Sequence, residues 1–321
     1  MKVYRGFKEL EKKCHTVVAL GNFDGVHLGH QEILATAVEK AREKGCLSSC
    51  CTFSNHPRCL FQDMEENHKK LGYLCSDEEK LHLIEQSGID IVFDLPFNQK
   101  IMKMVPEKFV SEILVNKIGT VGVSCGFNYH YGAKAEGDTK QLAEAGKKYG
   151  FDIYVHEPVM LDGEIVSSTT IRRAIENGDM EKASRFLGRP YVIGGIVISG
   201  DHLGNRIGFP TANIRYDKSR VDLPNGVYFS ETRIDNNVYY SVTNIGIKPT
   251  VGSAEKTIET FIFDFHQNLY GKYIEVALLF QRRLEVKFDS IEILAQHISE
   301  DKEAAIKFHE RRKKQKVGKF Y

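Results

Sequence analysis

The hydrophobic rhythm of the chain changes once, at Tyr191. Before it, short apolar runs alternate with segments whose apolar residues recur at helical spacing. After it, β-like runs follow one another with only Gly, Pro and Asn turns between them. Repeated strand–helix units build a doubly wound parallel sheet, and evenly spaced strands with no helices between them build a small β-barrel. A chain of 321 residues suits two domains better than one. Their border is expected near Gly188-Arg-Pro-Tyr191, because Asp179 can cap a short helix that Gly188 ends, and Pro190 stands just beyond it. The expected domains are residues 1–186, α/β, and residues 187–321, a β-barrel with a terminal helix.

In the first half the expected strands are Thr16–Leu20, Leu47–Phe53, Ile89–Phe93, Thr120–Ser124 and Asp152–Val155. Between them, Ser76-Asp-Glu-Glu79 is a capping box ahead of Leu81, Leu83 and Ile84. Pro106 suits the first turn of a helix carrying Phe109, Val110, Ile113 and Leu114. Gly150 closes a helix over Thr139–Tyr149. Ligands of such sheets bind beyond the carboxyl ends of the strands, so the segments leaving those ends are where chemistry is sought.

The most informative of them is Leu20-Gly-Asn-Phe-Asp-Gly-Val-His-Leu-Gly-His-Gln31, which joins the first of these strands to a helix face of Leu34, Ala37, Val38 and Ala41. Amides at a helix start have no intrahelical acceptor and carry the positive end of the dipole, so phosphate is a natural occupant. Gly21, Gly25 and Gly29 let the backbone turn tightly, and His27 and His30 can face one anion. His-x-Gly-His alone reads equally as a buried turn with two partnered histidines. Thr52–Pro57, Cys125–Gly132 with Gly137-Asp138, and Ser167–Arg173 fall near the same rim. Ser167 or Ser168 caps a helix that Gly178 ends; the same hydroxyls and amides, with Arg172, suit phosphate.

The second half has β runs at Tyr191–Ile198, Gly226–Ile234, Val238–Val242, Thr257–Phe265 and Tyr273–Phe280, a hairpin turn at Asp235-Asn-Asn237, and a helical tail after Asp289-Ser290. The glycine-rich stretch Gly200–Asn213 is no Walker loop, since no Gly-Lys-Ser/Thr occurs. In an extended backbone Thr211 and Asn213 project to one side, and their oxygens suit magnesium. A plain surface loop is the alternative. Glu259 lies in an alternating run, costly if buried and unremarkable if exposed. It becomes a candidate general base if a barrel wall brings it near Thr211. The basic end, His309-Glu-Arg-Arg-Lys-Lys-Gln-Lys316, reads as a solvated helix terminus complementing its dipole, with RNA or membrane contact as the alternative.

These strings resemble one family. Gly21–Gln31, Asn128-Tyr-His-Tyr-Gly132 and Ser167-Ser-Thr-Thr-Ile-Arg172 are similar to the adenylyltransferase half of the bacterial bifunctional riboflavin kinase/FAD synthetases. Gly208-Phe-Pro-Thr-Ala-Asn213, Asn244-Ile-Gly-Ile-Lys-Pro-Thr250 and the Glu259 run are similar to its kinase half, so the resemblance covers nearly the whole chain. It departs from the family pattern at Thr170, where an arginine is usual, at Tyr129 and Tyr131, where phenylalanines are, and near Ala135, where a basic residue often stands. The resemblance implies phosphorylation of riboflavin to FMN and adenylylation of FMN to FAD, with ATP as co-substrate and magnesium as cofactor. It implies Glu259 as the kinase base and Thr211 and Asn213 as the magnesium ligands. His27 and His30 become catalytic in adenylyl transfer. Gly21, Asn22, Phe23, Asp24, Gly29, Asn128, Ser168, Thr169, Arg172, Gly204, Gly208, Pro210 and Thr211 become nucleotide- or flavin-binding residues.

The remaining composition narrows the alternatives. A net charge of +1 gives no global field toward nucleic acid or acidic lipid. The amino-terminal stretch lacks the apolar core of a signal peptide, and no run approaches a membrane span. Seven cysteines, none after Cys125, argue against a disulfide framework. Cys46, Cys50, Cys51 and Cys59, with His56, lack paired zinc spacing and read as buried thiols. A cytoplasmic enzyme of small molecules is expected, monomeric or weakly homo-oligomeric. Its rivals are a nucleotidyltransferase with another acceptor, a chain with one active domain, and a non-catalytic flavin-binding regulator. A tRNA synthetase is disfavoured, since Lys100-Ile-Met-Lys-Met104 is a poor match to that class's second motif.

Overall fold

The computed structural model describes residues 1–6, 14–54, 72–200, 204, 207–250, 253–286 and 288–317. By compactness the chain divides into two units, Met1–Thr170 and Ile171–Tyr321. The first holds β1 (Lys2–Arg5), β2 (Thr16–Leu20), α1 (Leu28–Glu43), β3 (Leu47–Phe53), α2 (Asp77–Gln86), β4 (Ile91–Leu95) and α3 (Gln99–Met102). It continues through α4 (Pro106–Lys108), a π-helical stretch Phe109–Ile118, β5 (Thr120–Gly126), α5 (Thr139–Tyr149), β6 (Asp152–His156), the hairpin β7 (Met160–Leu161) and β8 (Glu164–Ile165), and the start of α6 (Ser168–Glu176).

Six strands form one parallel sheet in the order β1-β4-β3-β2-β5-β6. From β2 the chain winds one way through β3 and β4 and the other way through β5 and β6, so the order reverses between β2 and β5. A crevice opens at such a reversal. All five residues of β2 are buried, because successive side chains enter opposite helix layers. Val17 and Ala19 join Leu34, Ala37 and Ile84, while Val18 and Leu20 join Phe93, Leu114, Ile118 and Leu142. Each large aliphatic buried this way contributes about 1.5–3 kcal/mol.

Several local signals act as read. Ser76 and Glu79 form a reciprocal capping box, Pro106 opens α4, and Gly150 ends α5 at φ 79°. The helix expected after Pro106 runs on with π rather than α turns. The edge strand β1, the short helix α3 and the β7–β8 hairpin go beyond the expectation.

The second unit holds the rest of α6, α7 (Met180–Leu187), β9 (Tyr191–Ile196), β10 (Thr211–Arg215), β11 (Gly226–Ile234), β12 (Asn237–Thr250), β13 (Ser253–Ile262), β14 (Tyr273–Leu284) and α8 (Ile291–Val317). Asp179 caps α7, and Gly188 ends it at φ 74°. The six strands are antiparallel in the order β10-β13-β12-β11-β14-β9. Ile198, just past β9, bridges Asn213 of β10, so the two edges meet and the sheet curls back on itself. The inner face carries Ile214, Ile245, Ile258 and Val276, all at most 1% exposed. Among them runs a ladder of fully buried hydroxyls: Thr232 to Ser241, Ser241 to Ser230, Ser230 to Thr243 and Thr243 to Thr260, at 2.8–3.0 Å.

Helix α8 covers the opposite face. Ala305 and Phe308 pack on Val227, Phe229, Val242 and Phe280, and Asp301 receives Arg283 at 2.8 and 3.1 Å. His309 is 1% exposed, its ring stacked on Tyr240 at 4.1 Å with Glu231 facing it at 4.0 Å. Among the described residues no helix is long and apolar enough to cross a membrane.

Burial, then Arg312, pushes the His309 imidazole down to about 4. The folded form thus disfavours the proton that the unfolded chain accepts near pH 6.5, and stability contributed here is complete above that pH and lost as pH falls toward 4. His309→Phe should flatten this dependence: between pH 6.5 and 4.5 the unfolding midpoint should fall less than in the unaltered protein, by the equivalent of about 2 kcal/mol. Thermal unfolding across that range checks it.

Candidate functional site

The turn from β2 into α1 is built from unusual backbone. Phe23, Gly25 and Val26 have φ of 52°, 78° and 37°, and a β-branched residue at positive φ is rare. Packing holds this conformation. Phe23 is fully buried, and its ring lies 3.1 Å from where a Cβ on Gly21 would stand, so any larger residue there would press on that ring. The Asp24 carboxylate accepts the Leu74 amide at 2.9 Å, and the Gly25 amide donates to Cys75 Sγ at 3.2 Å. The Asp24 carbonyl accepts the Ser168 hydroxyl at 3.0 Å, and the Asn22 carbonyl accepts that of Thr52 at 3.1 Å.

His27 is the N-cap of α1: its Nδ1 accepts the His30 amide at 3.4 Å. A neutral His27 therefore carries its proton on Nε2. The two imidazoles are stacked, centroids 3.6 Å apart and 18° from parallel, and His30 meets the Phe23 ring edge-on at 5.2 Å. The pair stands on one side of the helix start, next to the Leu28 and Gly29 amides, which by helix geometry lack intrahelical acceptors. Gly29 lies against the pair: a Cβ there would stand 3.4 Å from the His27 ring, in van der Waals contact with it.

The other rim segments differ in what they expose. Asn128 is exposed in the turn after β5. The loop is anchored by Tyr129 and Tyr131, stacked at 5.9 Å, with Tyr131 also against Phe109. Burial raises both phenols, Tyr131 to about 12, so they act as neutral core rings. Lys134 and Ala135 both take positive φ. Ser167, not Ser168, caps α6, accepting the Thr170 amide at 3.2 Å. Thr170 in turn donates its hydroxyl to the Ile165 carbonyl at 3.1 Å, tying α6 to the β8 end. Thr169 is exposed, and Arg172 lies farther along α6, 8% exposed. Of Thr52–Pro57, residues 55–57 lie outside the described residues, as do His56 and Cys59. Cys50 and Cys51 enter opposite cores of the sheet and so cannot converge on one ion.

The second unit assembles the other set by strand register. Asn213 of β10 pairs directly with Glu259 of β13, and Thr211 with Phe261. Direct antiparallel partners share a face, so Thr211, Asn213 and Glu259 project together on the helix-covered side of the sheet. All three are half-buried. Asn213 Nδ2 donates to the Thr211 carbonyl at 3.2 Å, and a Cβ on Gly200 would come within 2.7 Å of that nitrogen. Gly204 accepts the Phe209 amide at 2.8 Å, folding the loop onto the start of β10. A Cβ on Gly204 would meet the Phe209 carbonyl, and Gly208 has φ 84°. Pro210 is exposed just ahead of Thr211. Residues 201–203 and 205–206 of this loop lie outside the described residues. Sequence reasoning missed the bracing of the first site by Leu74 and Cys75, which no local pattern announces.

The FAD synthetase family model matches residues 9–170, and the riboflavin kinase family model matches residues 187–309. A curated bifunctional riboflavin kinase/FMN adenylyltransferase of Bacillus subtilis is 36% identical, covering 93% of this chain and 94% of that protein. Those of Haemophilus influenzae and Escherichia coli K12 are 34% and 33% identical, each over 96% of this chain and 99% and 98% of their own lengths. A solved structure from Streptococcus pneumoniae, described as a macrolide-efflux protein, has a TM-score of 0.84 at 28% identity, covering 95% of this chain and 99% of that one.

The capping bond of His27 separates its structural from its chemical part. His27→Ala should lower the unfolding free energy by about 1 kcal/mol, whereas His27→Asn, which restores a cap acceptor, should recover most of that loss. Chemical denaturation of the two variants checks it.

Proposed function

The chain belongs to the bifunctional riboflavin kinase/FMN adenylyltransferase family, and we propose that its two reactions use two separate oxyanion sites, one per domain. It is a riboflavin kinase and FMN adenylyltransferase: ATP phosphorylates riboflavin to FMN, and a second ATP adenylylates FMN to FAD with release of pyrophosphate. The functional border is placed at 186/187. This keeps Ser168, Thr169 and Arg172 with the histidine motif and starts the kinase domain where its family model starts.

The observation that carries the kinase assignment is the pairing of Asn213 with Glu259. The ribityl 5′-hydroxyl is almost wholly protonated at neutral pH. Glu259 takes that proton as the oxygen bonds to the γ-phosphorus of ATP and the bond to the β,γ-bridging oxygen breaks, leaving ADP. Thr211 and Asn213 fit magnesium: they offer hard oxygens on one face, and the Nδ2–Thr211 hydrogen bond fixes the carboxamide. Bound there, the ion would offset charge on the phosphate oxygens. Gly204, Gly208 and Pro210 shape the loop that leads the triphosphate to them.

Adenylyl transfer asks for something else. The FMN phosphate is already an anion, so no base is needed. Its oxygen bonds to the α-phosphorus and pyrophosphate leaves, which makes positioning and charge neutralisation the task. His27, His30 and the amides of Leu28 and Gly29 supply that at the head of α1, with Arg172 assigned to the leaving phosphates. Asn22 and Asn128 are assigned to substrate, and Thr169 to the triphosphate. Gly21, Phe23, Asp24 and Ser168 act by holding the turn. Buried reduced thiols at Cys50, Cys51 and Cys125 suit a reducing cytoplasm, and function needs no more than a monomer or weak homo-oligomer.

Incubation with riboflavin, ATP and magnesium, followed by separation of the flavins, should give FMN and then FAD. Glu259→Ala should abolish FMN formation and spare FAD synthesis from supplied FMN. Replacing His27 and His30 together with Ala should do the reverse. Loss of both activities from either change, in a folded protein, would show the division of labour to be wrong.

A further inference from the structure

The row that begins at Asn213 continues past Glu259. On its other side Glu259 pairs directly with Asn244 of β12. Such partners share a face with Cβ atoms about 4.5–5.5 Å apart, and Asn244 is half-buried. A Cβ on Gly246 would come 3.4 Å from Asn244 Nδ2 and 2.5 Å from Glu285 Oε1. The missing side chain thus makes room in which that amide and a second carboxylate approach. Glu285 is itself held by Asn225 Nδ2 at 3.0 Å. A carboxamide therefore flanks Glu259 on each neighbouring strand, and the one on β12 stands between it and Glu285.

We infer that Asn244 is a positioning residue for riboflavin phosphorylation: its neutral carboxamide orients Glu259 from the side opposite Asn213 and separates it from the charge of Glu285. The inference rests on Glu259 being the kinase base. The charged groups on this face include Arg215 on β10, Glu255 on the same strand as Glu259, Arg283 on β14 paired with Asp301 of α8, Glu285 beyond β14, and Lys302 of α8, whose amine stands over the Phe261 ring at 5.6 Å. A carboxylate at position 244 would set a like charge beside the base and, being acceptor-only, could not donate a hydrogen bond to it. A bare methyl would leave it unoriented.

The test uses the full-length chain and initial rates of FMN formation against riboflavin concentration. Asn244→Ala should lower kcat about fivefold, and Asn244→Asp at least as much, with the riboflavin KM within about twofold and with FAD synthesis from supplied FMN and the unfolding midpoint unchanged. Asn244→Gln, which keeps a carboxamide, should recover part of the loss. An undiminished kcat in folded Asn244→Ala overturns the inference. If that variant does not fold, an undiminished kcat in Asn244→Asp does so. Glu259→Gln distinguishes the two levels. If it still makes FMN, the base assignment falls, and the inference with it. If it is inactive and kcat is undiminished in the Asn244 variants, only the role of Asn244 falls.

Discussion

The first unit depends on how a strand buried on both faces becomes a helix within a few residues. β2 offers no solvent side on which to release its backbone gradually, so Gly21–Val26 must reverse within the core and does so with three positive φ angles. That conformation is held by Phe23 beneath, Leu74 and Cys75 at one flank, and Ser168 at another. Strain of this kind persists only where the surroundings over-determine it. The reversal delivers two imidazoles and the first amides of α1 to the point where strand order reverses.

The second unit solves a related problem by register. β10, β13 and β12 each contribute one polar side chain to a line across the helix-covered face, and no loop has to aim Glu259 at Asn213 because the hydrogen-bond ladder does so. The two halves set their groups by different means, in line with the two chemistries proposed for them. Adenylyl transfer needs a fixed cradle around an anion that needs no deprotonation. Phosphorylation needs a carboxylate at a set distance from an alcohol, and two neighbouring strands hold such a distance well.

Much of this was legible in the residues. Caps at Ser76, Pro106, Asp179 and Gly188, the strands of the first sheet, and the shift to β-structure at Tyr191 follow from local preferences acting over a few positions. The proximity of His27 and His30 follows from helix spacing. What local pattern could not convey is pairing between distant segments: β1 on β4, Leu74 on Asp24, and Asn244 beside Glu259. Asp24 shows the limit well. Its place in a nucleotide motif suggests a ligand contact, and nothing local announces that its carboxylate also accepts a backbone amide 50 residues away. Thr170 is the converse: a departure from the family pattern that the hairpin end uses for its own hydrogen bond.

The hydroxyls sealed inside the barrel have a consequence for assembly. An all-aliphatic lining would accept a strand displaced by two residues nearly as well as the correct one, since greasy side chains are interchangeable. The hydroxyls are not: a slip of two between β12 and β13 would set Thr243 opposite Ile258 or Ile262 in place of Thr260, a severe penalty away from water. The lining thus works as a key cut for one alignment of these two strands, and because Glu259 and Asn244 ride on their reverse side, whatever rejects that slip also brings the two outer residues together.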